Sequence, residues 1–352
     1  MEKQGDPYGI HRVLEPENTL PQPAVRVNND FTDIYDNEIL CDVYTLNIDS
    51  ASFTEIKDRA GNDTGKVAAR MLDIVKRFGK HKNPVTGSGG MFMGRVARIG
   101  SVLKKKINLT EGDPIVSLVS LSLTPLRIDE ILTIHLERDQ VDITGQAVLF
   151  ENSVWARLPQ DLPEPLALAV LDVAGAPAQV DRLVSPGDTV AVIGARGKSG
   201  LLCCCQAKKK AGVNGTVIAI VHRENGMEDV ARAPFVDRTI VAKADEPVNL
   251  MHKISDMTRG RFCDVVISCV SRPNCEMGAI MIARDRGRVY FFSMATSFTK
   301  AALGAEGIGK DVEMIVGNGY CAGHADLTLN LLRENDYLRK LYHNRYVGKE
   351  TA

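Results

Sequence analysis

Asp188–Gly200 reads DTVAVIGARGKSG, and this stretch decides the fold. Its apolar β-type run, Thr189–Ile193, suits a buried strand. A turn punctuated by Gly194, Gly197 and Gly200 follows, and then a helical pattern over Leu201–Lys210. Strand, glycine turn and helix start is the order a dinucleotide pyrophosphate requires. Glycines let the backbone approach the phosphates, and the unpaired N–H groups of the first helical turn face the anion. The spacing is G-x-x-G-x-x-G rather than G-x-G-x-x-G, so the turn by itself is also compatible with close helix–strand packing. Gly197-Lys198-Ser199 imitates the end of a G-x-x-x-x-G-K-[ST] phosphate loop. That motif needs a glycine where Val192 stands, so a nucleotide hydrolase is excluded.

Outward from the turn, Thr216–Val221 (TVIAIV) begins about 16 residues past Gly200, roughly the span of one crossover helix. His222-Arg223 follow it, where an NAD-binding protein usually offers an acidic group to the ribose 2′-hydroxyl. Basic groups there favour a 2′-phosphate, hence NADP over NAD, although Glu224 keeps the hydroxyl role open. Apolar runs recur at Thr239–Ala242, Asp264–Val270, Arg288–Phe292 and Val312–Val316, with helical patterns between most of them. Six strands in this rhythm predict an α/β doubly wound parallel sheet, with ligands at its carboxyl edge. The turn residues Gly194, Ala195, Arg196, Gly197, Lys198, Ser199 and Gly200, with His222, Arg223 and Cys269, are the cofactor candidates. Ser293 and Thr296, after the strand RVYFF, suit the nicotinamide ribose or the substrate; Lys300 nearby reads as a solvated helix lysine. Asn318 suits the carboxamide or an ordinary turn.

The chain has 352 residues, enough for two domains and a substantial core. Net charge is −1 with both signs interspersed, which marks no nucleic-acid partner. Apolar stretches are too short and interrupted to span a bilayer, and the start MEKQGDPYGIHRV lacks the apolar core of a signal peptide. None of the eight cysteines forms C-x-x-C, so they read as buried small hydrophobes in a reducing cytoplasm.

The first 155 residues carry turn-bounded β segments at Ile39–Leu46, Gly94–Val102, Pro114–Ser122 and Glu130–Leu136, and a further strand at Ala147–Phe150. Gly87-Ser88-Gly89-Gly90 suits a close-approach loop, and Thr64–Phe78 carries an apolar stripe at helical spacing. The proline-punctuated Leu158–Pro165 marks a join. The expected organisation is a β-rich substrate domain over 1–160, a Rossmann domain over 161–320, and a helical segment over 321–352 packing back on the first domain.

That order of domains is similar to the medium-chain dehydrogenase/reductase family. Gly94-Arg95-Val96-Ala97-Arg98-Ile99-Gly100 resembles its G-x-V-x-x-V-G strand, and Glu111-Gly112-Asp113 its E/P-G-D turn. Gly194–Gly200 fits the G-A-x-G-x-x-G turn of the zinc-free, quinone-reductase-like branch. The resemblance implies an irregular β-rich, GroES-like first domain and pairing of subunits into a homo-oligomer. Where zinc-dependent members carry ligands this chain reads Asn47-Ile48-Asp49 and Gly89-Gly90-Met91, so no metal is expected. The longer runs LNIDSASF, NPVTGSGGM, LVSLSLTPLRIDEI and YFFSMATSFTKAALGAEGIGKD resemble an amine-deaminating branch of the family. What that implies is oxidative deamination of a small diamino acid at C3 with hydride transfer to NAD or NADP. An enoyl or quinone reductase is the alternative of the same fold, and a nucleotide-sensing scaffold the alternative outside enzymology.

Such chemistry needs a base for the amine and for a water, an anion for a second ammonium, and a cation for the carboxylate. Asp49, with Asn47 and Ser50 beside it, lies on the turn that in this family faces the nicotinamide, and is the leading base; the same residues also suit turn formation or helix capping. Asp172 interrupts the apolar Leu166–Ala174 and is a second candidate, either for an ammonium or for a structural pair. Glu151 is a further carboxylate. Arg127 suits the substrate carboxylate, or a surface salt bridge to Asp129 or Glu130.

Overall fold

Strands with one wet face and strands buried along nearly their whole length separate the protein into two compact units, Met1–Leu168 and Ala169–Ala352. The computed structural model describes residues 3–317 and 319–348.

In the first unit, β1 (Val13–Glu15) and β2 (Arg26–Val27) form a short antiparallel pair. β3 (Glu38–Asn47), β4 (Met91–Ile99), β5 (Pro114–Ser117), β6 (Leu126–His135), β7 (Gln140–Phe150) and β8 (Trp155–Arg157) make an antiparallel sheet ordered β6-β7-β3-β4-β5-β8. The pairing of β3 with both β4 and β7 is irregular between Val43 and Thr45, close to where the strand delivers Asn47. α1 (Ser50–Ala60) and α2 (Thr64–Phe78) contribute Phe53, Ile56, Val67, Met71 and Ile74 to the core of this unit. α2 spans the expected residues, and α1 follows Asp49, where the sequence suited either a turn or a helix cap. β5 stops at Ser117 rather than Ser122, because Ser120 turns the chain there: its hydroxyl accepts from the Ser122 N–H and its carbonyl from the Leu123 N–H.

Two buried cations tie the amino-terminal residues to this sheet. Arg12 donates to both carboxylate oxygens of Glu38 at 2.8 and 2.7 Å. The Lys80 ammonium is fully buried and donates to the carbonyls of Pro21, Gln22 and Ala24. Burial, with Lys82 nearby, lowers the Lys80 pKa to about 8.

The second unit follows α3 (Glu164–Leu171), in which the boundary falls, and opens with α4 (Gly175–Leu183). Its strands are β9 (Thr189–Ile193), β10 (Thr216–Val221), β11 (Arg238–Val241), β12 (Cys263–Ser268), β13 (Ala283–Phe291) and β14 (Val312–Val316). All pair in parallel in the order β11-β10-β9-β12-β13-β14, so the chain turns back on itself between β9 and β12. An open parallel sheet binds ligands at the carboxyl ends of its strands where the order reverses. The helices are α5 (Lys198–Ala211), α6 (Glu228–Ala231), α7 (Pro247–Thr258), α8 (Glu276–Ile282), α9 (Phe298–Gly307), α10 (His324–Glu334) and α11 (Asp336–Tyr346). α10 packs on α4 and α5, and α11 on α5, so the C-terminal helices belong with this unit rather than with the first domain to which the sequence assigned them.

Candidate functional site

The turn after β9 is shaped by what its glycines permit. Gly194 has φ +79°, a left-handed conformation that glycine adopts without strain, and its N–H and that of Ala195 both bond the Ile220 carbonyl. A side chain on Gly200 would lie 2.3 Å from the Gly194 carbonyl oxygen, so only glycine lets α5 start this close to β9. No side chain caps α5, which leaves its first-turn N–H groups for an anion.

Beside this turn lies a cavity of about 320 Å³, within the range of roughly 300–1,000 Å³ usual for ligand sites. Gly194, Arg196, Gly197, His222, Arg223 and Cys269, all named above as cofactor candidates, line it. Arg272, Lys243 and Asp245 line it too and were not foreseen, although the carboxyl-edge rule reaches them, a few residues past β12 and β11. Burial and then the charges of Arg223, Arg272 and Arg196 depress the His222 pKa, the signature of a strongly positive wall. Arg272 lies 4.0 Å from Asp245, and the buried Arg196 Nε has no partner among the described residues. A glycine cradle, an open helix start and a lining in which basic side chains outnumber acidic ones fit a dinucleotide.

Other expected cofactor residues do different work. Ala195, Ser199 and Gly200 are buried and build the turn instead of lining the cavity. Lys198 and Asp172 form an ion pair of 2.6 Å, with each side chain 14% exposed, the structural pair that was one of the two readings of Asp172: its carboxylate fastens the start of α5. Ser293 closes a turn after β13, accepting from the Ala295 and Thr296 N–H groups. Asn318 lies outside the described residues. The Lys300 ammonium donates to Asn274 Oδ1.

In the first unit a cluster of buried polar atoms without partners gathers at the end of β3. Asp49 is the N-cap of α1: its Oδ1 accepts from the Ser52 N–H at 3.0 Å, while its Oδ2 is buried and unbonded. The capping role considered from sequence is therefore real, and it occupies one oxygen only. Asn47 is fully buried; its Oδ1 meets Gln140 Nε2 at 3.4 Å, and its Nδ2 has no partner. His81, which the sequence reading passed over, is fully buried with neither ring nitrogen bonded. Burial lowers its pKa to about 4 against the opposing pull of the Asp49 charge and of the Gly89 and His81 carbonyls. Gly89 and Gly90 bring these groups together: a Cβ on Gly90 would lie 2.0 Å from the Asn47 carbonyl oxygen, and one on Gly89 2.5 Å from that of His81. Each unpaired buried group costs roughly 1–3 kcal/mol, a cost that a ligand bonding them removes.

Three remaining candidates are spoken for. Arg127 binds Asp129 at 2.8 Å and Gln146 at 2.9 Å on the sheet surface, the salt bridge considered as its alternative. Glu151 accepts from Lys106 at 2.7 Å and Asn37 at 3.1 Å. The Ser50 hydroxyl donates to Asp139. No group of three or more His, Cys, Asp or Glu among the described residues is arranged to hold a metal ion, and no described helix is long and apolar enough to cross a membrane.

A parallel sheet of order 3-2-1-4-5-6 with a basic cavity at its glycine turn is the architecture of a dinucleotide-binding fold, and here it follows an antiparallel-sheet unit in the chain. Solved structures share this fold: an alcohol dehydrogenase from Thermus sp. ATN1 (18% identity, TM-score 0.53, 92% of this chain and 86% of that one) and a mycobacterial protein complexed with NADPH (15%, 0.53, 91% and 84%). Residues 11–159 match the family described as L-erythro-3,5-diaminohexanoate dehydrogenase N-terminal domain. Enzymes named L-erythro-3,5-diaminohexanoate dehydrogenase from Acetoanaerobium sticklandii and Fusobacterium nucleatum subsp. nucleatum are 53% and 51% identical, over 98% of this chain and the whole of each relative. The chain belongs to the L-erythro-3,5-diaminohexanoate dehydrogenase family.

Proposed function

We propose that the protein oxidises the C3 amine of L-erythro-3,5-diaminohexanoate to give 5-amino-3-oxohexanoate, ammonium and a reduced nicotinamide dinucleotide. The observation that carries this reading is the near full-length identity to the two enzymes of that name.

The bound nicotinamide supplies the hydride acceptor. Asp49 takes a proton from the C3 ammonium through Oδ2, freeing the nitrogen lone pair that expels the hydride and leaves an iminium. The same oxygen then takes a proton from the water that adds to C3. Its capped oxygen keeps the carboxylate from turning away, so the free one has a fixed direction. Asn47 Nδ2, buried and unbonded, supplies a donor for the oxygen that becomes the ketone.

The cofactor is NADP in preference to NAD. Arg196, Arg223 and Arg272 with His222 outnumber Asp245 around the cavity, and a 2′-phosphate brings close to two negative charges to meet them. The protein is a cytoplasmic homo-oligomer. Its eight cysteines are free thiols, and β14, an edge strand of the parallel sheet with Val316 65% exposed, suits pairing with a second copy.

The test is reduction of NAD+ and of NADP+ by the diamino acid, followed by absorbance with ammonia assayed in parallel. Ammonia rising in step with reduced cofactor, fastest with NADP+, is the expected result. Cofactor binding with no ammonia from the diamino acid would overturn the assignment.

A further inference from the structure

Oxidative deamination presents the enzyme with more protons than one carboxylate can hold. The substrate ammonium gives up one proton before hydride leaves C3. The water that adds to the iminium gives up another before the amine departs. Between those events the carbinolamine nitrogen is still neutral, so two protons reside on the protein. Asp49 Oδ2 accepts one.

We propose that His81 is a positioning residue that works through Asp49: its imidazole holds the amine proton, so that Asp49 meets the water as a carboxylate again. The proposal rests on the deaminase reading above. Its ground is geometric. His81 is buried with both ring nitrogens unbonded, Asp49 Oδ2 is buried and unbonded, and Asn83, two residues from His81, donates to the Ser52 carbonyl in the first turn of the helix that Asp49 caps. Gly89 lies against the His81 carbonyl and Gly90 against the Asn47 carbonyl, closer than any side chain would permit. The unit's other fully buried charged side chains are occupied, Arg12 and Glu38 with each other and Lys80 with three carbonyls. Burial keeps the ring neutral before the reaction, so its lone pair is open, and the neighbouring Asp49 charge favours the imidazolium while it lasts.

The protons balance. The C3 ammonium proton passes to Asp49 and on to His81, giving imidazolium; the C3–H bond breaks and its electron pair leaves as hydride to the oxidised cofactor. Water forms the new C–O bond and yields a proton to Asp49. Asp49 then protonates the carbinolamine nitrogen and is recharged from His81. The C–N bond breaks and expels ammonia, the carbinol hydroxyl gives its proton to that ammonia as the ketone forms, so the amine departs as ammonium, and Asp49 releases its remaining proton to solvent.

Rapid mixing of the holoenzyme with saturating diamino acid separates the two halves, with reduced cofactor followed by absorbance and ammonia by quenching. Glutamine keeps polarity at this position and cannot become a cation. His81→Gln is expected to keep the first turnover of reduced cofactor, one per site and within about twofold of the wild-type rate. The later steady rate should then fall roughly 10²-fold, with ammonia lagging and KM nearly unchanged. A wild-type steady rate overturns the proposal, and so does loss of the first turnover in the same proportion as the steady rate, which is what a structural role would give. His81→Asn replaces it, with the same outcomes, if the glutamine variant does not melt cooperatively. Wild-type enzyme that reduces cofactor without releasing ammonia fails the deaminase reading itself, and the His81 proposal with it.

Discussion

Asp49 shows how one side chain carries both a bland and a chemical role. Asparagine caps helices as well as aspartate, so Asp49→Asn keeps the bond to the Ser52 N–H and should leave the melting temperature within a degree or two. It removes the proton acceptor, and turnover is expected to fall roughly 10²–10⁴-fold while cofactor titrations stay unchanged. Near-normal turnover would return Asp49 to capping alone. The sequence points to this residue because Asn47-Ile48-Asp49 sits on a recognisable turn. It is silent on His81, which stands between Lys80 and Lys82 in a stretch that reads as a solvated loop. Gly89 and Gly90 were legible as a close-approach loop, but nothing local says that what they approach is the backbone of His81 and Asn47. Asp172 was legible only in part: its carboxylate called for a partner, but that partner, Lys198, lies 26 residues on, at a helix start.

Elements with a strong local code matched their sequence reading closely. α2 has both a capping aspartate and an apolar stripe, and β9, β10 and β14 are short apolar runs between turns. α1 is ambiguous in the sequence because few of its residues are apolar and Asp49 reads equally well as a turn. β6 begins at Leu126 instead of Glu130, since its exposed face blurs the alternation. The glycine turn gives the sharpest prediction at this scale. In Gly200→Val the new Cβ meets the Gly194 carbonyl oxygen, so α5 must shift away from β9. Dinucleotide affinity, read by quenching of protein fluorescence or by calorimetry, should fall at least tenfold, together with a lower melting temperature. Unchanged affinity would show that the pyrophosphate does not use this turn.

At the scale of the whole molecule, acid stability has a local origin, and the homo-oligomer proposed above has a testable edge. Burial of Glu38 raises its pKa, but the bonds from Arg12 and His11 outweigh it and bring the carboxyl to about 2. A depressed carboxyl stabilises the fold above its unfolded pKa and loses that contribution as pH falls towards the folded value. About 3 kcal/mol should therefore disappear between pH 4.5 and about 2, and Glu38→Gln should flatten denaturant-measured stability across that window. Val316→Lys on β14 places a charge on that edge, and light scattering should report a smaller assembly with an unchanged circular dichroism spectrum. The Lys80 ammonium has a consequence of another kind. The carbonyls that solvate it belong to Pro21, Gln22 and Ala24, so the segment between β1 and β2 supplies the solvation shell of a cation next to His81. Trimming the chain to begin at β2 would leave that cation sealed in with nothing to solvate it, and the loop bearing His81 would have to open to water. The first two dozen residues, far from the glycine turn in sequence, are thus part of the scaffold on which proton transfer depends.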